Sequence, residues 1–151
     1  KHGLPVILHS RKSVDAVLQG LRRCAVPGGI AHAFNGSAQQ AQQLQDLGFA
    51  LGFGGASTHE RARHLRELAV QLPASAIVME TDSPDMPPQW LYVTAEARAQ
   101  GVQPQPNTPA ELPRIAAVLA ELRGVAVVDW AAQTTANALR VLPKLQGLLN
   151  V

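Results

Sequence analysis

Through the first eighty residues, short apolar runs alternate with segments of helical period. Residues 5–8 form a compact apolar strand that ends on His9-Ser10-Arg11. Val14, Val17, Leu18 and Leu21 then recur at i, i+3, i+4 and i+7, one face of a helix. After a turn at Pro27-Gly28-Gly29, a second strand is predicted over residues 30–34, with His32 inside it. Ser37 and Gln40 have the capping-box spacing, and the helix they open carries Ala41, Leu44 and Leu47 before stopping at Gly48. Residues 49–53 read as a third strand running into Gly54-Gly55. Ser57 and Glu60 repeat the box ahead of a helix with Ala62, Leu65, Leu68, Ala69 and Leu72 inward. A fourth strand, residues 76–79, leads into Glu80-Thr81-Asp82-Ser83-Pro84. Continuous apolar strands separated by helices predict an α/β protein with a parallel sheet covered on both faces.

The pattern then changes. Seven prolines fall between residues 84 and 113, too many for a helix or an inner strand, so this stretch reads as a long ordered loop or lid around Trp90 and Tyr92. Thr108, Pro109 and Glu111 predict the cap of a further helix with Leu112, Ile115, Leu119 and Leu122 buried and Gly124 at its end. A last helix is expected over residues 127–142, with Trp130, Ala131, Leu139 and Leu142 as core candidates.

Composition narrows the class. At 151 residues the chain has room for a single domain, expected over 1–151, and 46% apolar against 16% charged residues excludes a disordered chain. No apolar run approaches the roughly 20 residues that span a bilayer, so no membrane partner is expected. The net charge is +2, so a nucleic-acid substrate has to be argued from a site rather than from bulk charge. The one cysteine, Cys24, fits a reducing, cytoplasmic location and is expected to be a small core residue.

Candidate chemistry lies at the strand ends. His9, His32 and Asp82 each stand near the carboxyl end of an apolar run, and Glu80, two residues before Asp82, is expected on the same side of its strand. Parallel barrel strands converge at that end, and imidazoles with carboxylates there suit a divalent cation that activates water. Each residue also has a plainer reading: a hydrogen-bonded structural histidine, a turn-starting aspartate, a paired buried glutamate. Arg11 fits either a phosphate-holding fork or a solvated charge. His59 and His64, five apart on a helix, point in different directions and read as surface residues, as does His2. Gly52-Phe53-Gly54-Gly55 lacks the Lys-Ser/Thr of a phosphate loop, so its glycines are read as permitting close approach of backbone or substrate. Trp90 and Tyr92 fit loop anchors better than base-stacking platforms.

Five segments together resemble the TatD-type metal-dependent deoxyribonucleases: the run from Pro5 through Arg11, His32-Ala33-Phe34-Asn35-Gly36-Ser37, Glu80-Thr81-Asp82-Ser83-Pro84, Asn107-Thr108-Pro109 and Thr134-Thr135-Ala136-Asn137. The resemblance covers almost the whole chain. Ser13 stands where a threonine or alanine is usual, and Thr108 where a glutamate is. It implies a (β/α)8 TIM barrel of the metallo-dependent hydrolase type, of which this chain would be the C-terminal half to two-thirds, because the opening His-x-His strand and a bridging glutamate are absent and such a barrel takes about 250 residues. It further implies His9, His32 and Asp82 as metal ligands, Asp82 as the group handling the proton of the attacking water, Arg11 on the scissile phosphate and Glu80 beside the site. The implied cofactors are divalent ions, two per full-length site, from among Mg, Mn and Zn. The implied activity is hydrolysis of DNA phosphodiester bonds, impaired in this chain alone. Alternatives are a related metallo-hydrolase on a small phosphate ester, amide or lactone, and a non-catalytic barrel remnant that binds a partner. Four barrel strands expose two sheet edges and one face, so self-association or pairing with the missing N-terminal portion is expected.

Overall fold

A computed structural model describes residues 2–148. Four strands, β1 (Val6–His9), β2 (Gly29–His32), β3 (Phe49–Phe53) and β4 (Ile77–Met79), pair in the order β1-β2-β3-β4, every pair parallel. Helices α1 (Val14–Arg23), α2 (Ala38–Asp46) and α3 (Arg63–Gln71) form the crossovers. After β4 come a short helix α4 (Ala95–Ala99), then α5 (Leu112–Arg123) and α6 (Val127–Val141). The α/β parallel architecture expected from the sequence is therefore present. Strand bounds differ by one or two residues, and α4 stands inside the proline-rich stretch expected to hold no helix.

The core lies mainly on the helix-covered side of the sheet, where Ala31, Leu51, Phe53 and Ile77 meet Leu18, Leu44, Leu68, Ile115 and Leu119. Each of the leucine, isoleucine and phenylalanine side chains among them contributes about 1.5–3 kcal/mol by leaving water. On the other side, Ala50 and Val78 are covered by Val141 of α6. That is why all five residues of β3 are buried. The cover stops short of β1, where Ile7 stays 64% exposed. Among the described residues neither β1 nor β4 pairs with a further strand.

Local caps and one side chain from α5 satisfy the helix ends. Ser37 and Gln40 form the predicted reciprocal box on α2, with Oγ accepting from the Gln40 N–H and Oε1 from the Ser37 N–H. Gly48 (φ +83°) and Gly124 (φ +66°) supply the left-handed backbone after α2 and α5. Arg123, at the end of α5, donates through Nη1 to the carbonyls of Ala69 and Leu72, closing the carboxyl end of α3.

Several local expectations fail for identifiable reasons. Ser57 and Glu60 cap nothing: residues 55–58 form a single 3-10 turn, Ser57 Oγ donates to Gly54 O, and α3 begins only at Arg63. Thr108 makes no side-chain cap bond, and Glu111 Oε2 instead accepts from Trp90 Nε1 at 2.7 Å. Cys24 is exposed at the end of α1 rather than in the core. Ala131 is exposed and Leu139 half-buried, because that side of α6 faces an open apolar groove.

Candidate functional site

The sheet register sets the site. His9 and His32 are register partners at the last positions of adjacent strands, so their side chains emerge on the same side, with ring centroids 5.3 Å apart. His32 stands between two carboxylates: Glu80 Oε2 lies 3.3 Å from Nδ1 and Asp82 Oδ1 lies 3.3 Å from Nε2. The other Glu80 oxygen accepts the Ala33 N–H at 2.6 Å.

Glu80 and Asp82 do not converge for the reason the sequence suggested. β4 ends at Met79, so strand alternation no longer governs either residue. Asp82 turns back through a left-handed backbone, φ +54°, a region that costs most L-residues about 1–2 kcal/mol and that aspartate tolerates better than most. Ala33, which anchors Glu80, also has positive φ (+47°). The segment is tied down by Asn107, 3% exposed, whose Nδ2 donates to Thr81 O at 2.8 Å and Asp85 O at 2.5 Å. Its Oδ1 is buried without a partner.

Glu80 is largely buried, and burial pushes its carboxyl above the ordinary value; the Ala33 N–H and the His32 ring pull it down, while Asp82 adds a smaller upward push. Room for it is made by glycine. A Cβ on Gly52 would overlap Glu80 Oε2, and one on Gly54 would sit 2.8 Å from Glu80 O. The glycines at the end of β3, Gly52 within it and Gly54 just beyond, do serve close approach, but the group approaching is the glutamate of the next strand end. Neither this cradle nor the Asn107 tie was read from the residues themselves. Asn107 appears there only through a motif, and glycine every second residue in a buried strand was the available signal for the cradle.

The other candidates separate. Arg11 is exposed and shares with His9, Lys12, Asn35, Asp82 and Met86 an open cleft of about 1010 Å³. His59 precedes α3 rather than lying on it and contacts Pro87 O at 3.0 Å through Nε2; His64 contacts Gly36 O at 2.9 Å. His2 is exposed. Trp90 is anchored, with Arg114 over its ring at 4.1 Å, whereas Tyr92 remains 40% exposed beside Arg61.

The donor set suits a divalent cation. If Nδ1 of a neutral His32 donates to Glu80, Nε2 presents a lone pair to the Asp82 oxygen, two acceptors face to face. A proton or a cation between them relieves that contact, and a carboxylate behind the far nitrogen is the usual way a metal-binding imidazole is oriented. Among the described residues no three His, Cys, Asp or Glu side chains stand close enough to hold an ion together as placed. The fit is thus that of a His32–Asp82 pair with His9 alongside.

Parallel strands in chain order, with imidazoles and carboxylates gathered at their carboxyl ends, define an α/β protein with its chemistry at one mouth of the sheet. Comparison with known proteins supplies the family. The model of the TatD related DNase family matches residues 1–143, and the chain belongs to that family. The uncharacterized metal-dependent hydrolase YjjV of Escherichia coli K12 is 41% identical over 124 residues, which is 82% of this chain and 44% of YjjV. The 3'-5' ssDNA/RNA exonuclease TatD of Klebsiella pneumoniae is 36% identical over 137 residues, 89% of this chain and 49% of that protein. The crystal structure of YjjV superposes with a TM-score of 0.79 at 38% identity, covering 93% of this chain and 50% of that one. A TatD family hydrolase from Entamoeba histolytica, 19% identical, shares the fold with a TM-score of 0.72 over 92% of this chain and 50% of that one. The chain spans about half the length of the relatives it matches. Among the described residues no helix is long and apolar enough to cross a membrane.

Proposed function

We propose that the chain carries part of the metal centre of a divalent-metal-dependent hydrolase that cleaves phosphodiester bonds in DNA. The observation that carries this reading is His32, flanked by Glu80 on one ring nitrogen and Asp82 on the other, in register with His9. His9, His32 and Asp82 would hold the cation, Mg, Mn or Zn, with a second ion in the full site. When bound, such ions polarise the phosphoryl group and acidify the attacking water. Glu80 fixes the His32 tautomer by accepting at Nδ1. Asp82 takes the proton of the attacking water at the oxygen turned away from His32. Arg11, on the rim of the cleft, grips a phosphate oxygen with its guanidinium fork. An open cleft suits a polymer strand better than a small ester, amide or lactone, and the exonuclease named among the relatives supports the same substrate class.

On this reading the four strands are consecutive units of an eight-stranded barrel, and the remaining ligands come from outside the described residues. Metal binding and turnover by this chain alone are then weak, and it pairs with the rest of the barrel or with itself. A free, exposed Cys24 fits a reducing cytoplasm. The test is calorimetric titration with Mn²⁺, followed by an assay on a labelled single-stranded oligodeoxynucleotide. Asp82→Asn is expected to lower Mn²⁺ affinity at least tenfold and to remove any turnover; wild-type affinity in that variant overturns the reading.

A further inference from the structure

Strand β4 is held at both ends by a buried asparagine. At its amino end Asn137 Nδ2 donates to Ala74 O and Ile77 O, each at 2.7 Å, while its Oδ1 accepts from Gln133 Nε2 at 3.0 Å. At the carboxyl end Asn107 Nδ2 spends both hydrogens on Thr81 O and Asp85 O, and its Oδ1 is left unpaired. The two carbonyls it ties bracket Asp82 and its left-handed backbone. Among the described residues these are the only hydrogen bonds reaching the backbone of residues 81–85 from elsewhere in the chain; the other bond within the segment is a local one, from Thr81 Oγ1 to Ser83 Oγ at 3.3 Å. The amide cannot be turned over, since that would set Oδ1 against two carbonyl oxygens. The stranded acceptor is thus a consequence of using both donors on the loop.

We infer that Asn107 is the positioning residue that holds Asp82 against His32. A left-handed residue persists only where its surroundings over-determine it. With both ties released, the Asp82 backbone relaxes into the ordinary region and its carboxylate swings away from His32 Nε2. Asn107 has no hydrogen bond to His32 and does not line the cleft, so its effect on the site runs through Asp82. This inference rests on the metal-binding role proposed for Asp82.

The experiment compares Asn107→Leu, which keeps the branched shape and removes both donors, with Asn137→Leu, the same change at the other end of the strand. Asn107→Ser, which retains one hydroxyl donor, serves if the leucine variant fails to fold. Two quantities are read on chains whose circular dichroism matches wild type: amide hydrogen exchange over residues 80–86, and Mn²⁺ affinity by calorimetry. Asn107→Leu is expected to exchange faster over 80–86 and to bind Mn²⁺ about tenfold or more weakly, the usual scale for a group supporting a metal ligand. Asn107→Ser should fall between it and wild type, and Asn137→Leu should keep wild-type affinity within about twofold. A folded Asn107 variant with wild-type exchange and affinity overturns the inference, as does an equal loss in Asn137→Leu. If the wild-type chain binds no Mn²⁺, the proposed function fails, and exchange over 80–86 alone decides the clamp.

Discussion

The two ends of the sheet use the same devices to different effect. At the amino ends of the strands positive φ is carried by glycine, at Gly28, Gly29 and Gly48, and the asparagine that clamps β4 there has every polar atom paired. At the carboxyl ends positive φ is carried by Lys12, Ala33, Asp82 and Met86, of which only aspartate is a common non-glycine occupant of that region. The clamping asparagine there has an orphaned oxygen, and a carboxyl nearby is forced out of water. Positive φ on residues other than glycine and a carboxyl held out of water are thus gathered at the end where ligands are expected, whereas an orphaned polar atom occurs away from it too, at Trp130 Nε1 under Arg123. Local rules that fail on one side of a fold mark its functional side.

This contrast predicts that damage to the amino end costs stability and spares the site. The largest loss is expected for Asn137→Leu. It leaves Ala74 O and Ile77 O without their partner, and each buried orphan costs about 1–3 kcal/mol, so urea denaturation should show a loss of about 4 kcal/mol. Gly52→Ala is expected to cost less stability and to damage the site. Its new Cβ displaces the Glu80 carboxylate, so overpacking takes about 2 kcal/mol while Mn²⁺ affinity falls at least tenfold. A Gly52→Ala chain with wild-type affinity would separate Glu80 from the site and break the comparison. Arg123→Met repeats the Asn137 pattern on a smaller scale: it unties the end of α3 from α5, far from His32, and is expected to lower stability by about 1 kcal/mol with affinity unchanged.

How much of this was legible depended on range. Apolar runs located all four strands, because a buried parallel strand is written in contiguous residues. The residues now gathered at the mouth were legible as strand ends. Partners were not. Ser37/Gln40, Ser57/Glu60 and Thr108/Glu111 share one spacing, yet only the first pair forms a box, because the Ser57 hydroxyl bonds locally and Trp90 takes the Glu111 carboxylate. Spacing fixes which groups can meet; competition decides which do. The sequence reads Glu80 as a buried carboxylate in need of a partner, but that the partners are His32 and the Ala33 N–H, 48 and 47 residues away, is written nowhere locally. The two clamps bridge 22 to 63 residues and appeared only as motif letters.

The smallest predicted effect tests the premise of the comparison most directly. Lys12 is exposed, forms no ion pair among the described residues, and sits at φ +54° beyond the end of β1. If the left-handed backbone at the carboxyl ends is a real cost, Lys12→Gly removes about 1 kcal/mol of it. Glycine also loosens the unfolded chain, which returns about 0.5 kcal/mol, so the net gain is about 0.5 kcal/mol. For a chain of this size that is a rise of about 1–2 °C in Tm. The same change at Asp82 would remove the carboxylate with the strain, which is why the exposed position is the clean one. A fall in Tm on Lys12→Gly would mean that positive φ there is no burden, and the carboxyl ends would then differ from the amino ends in residue type alone.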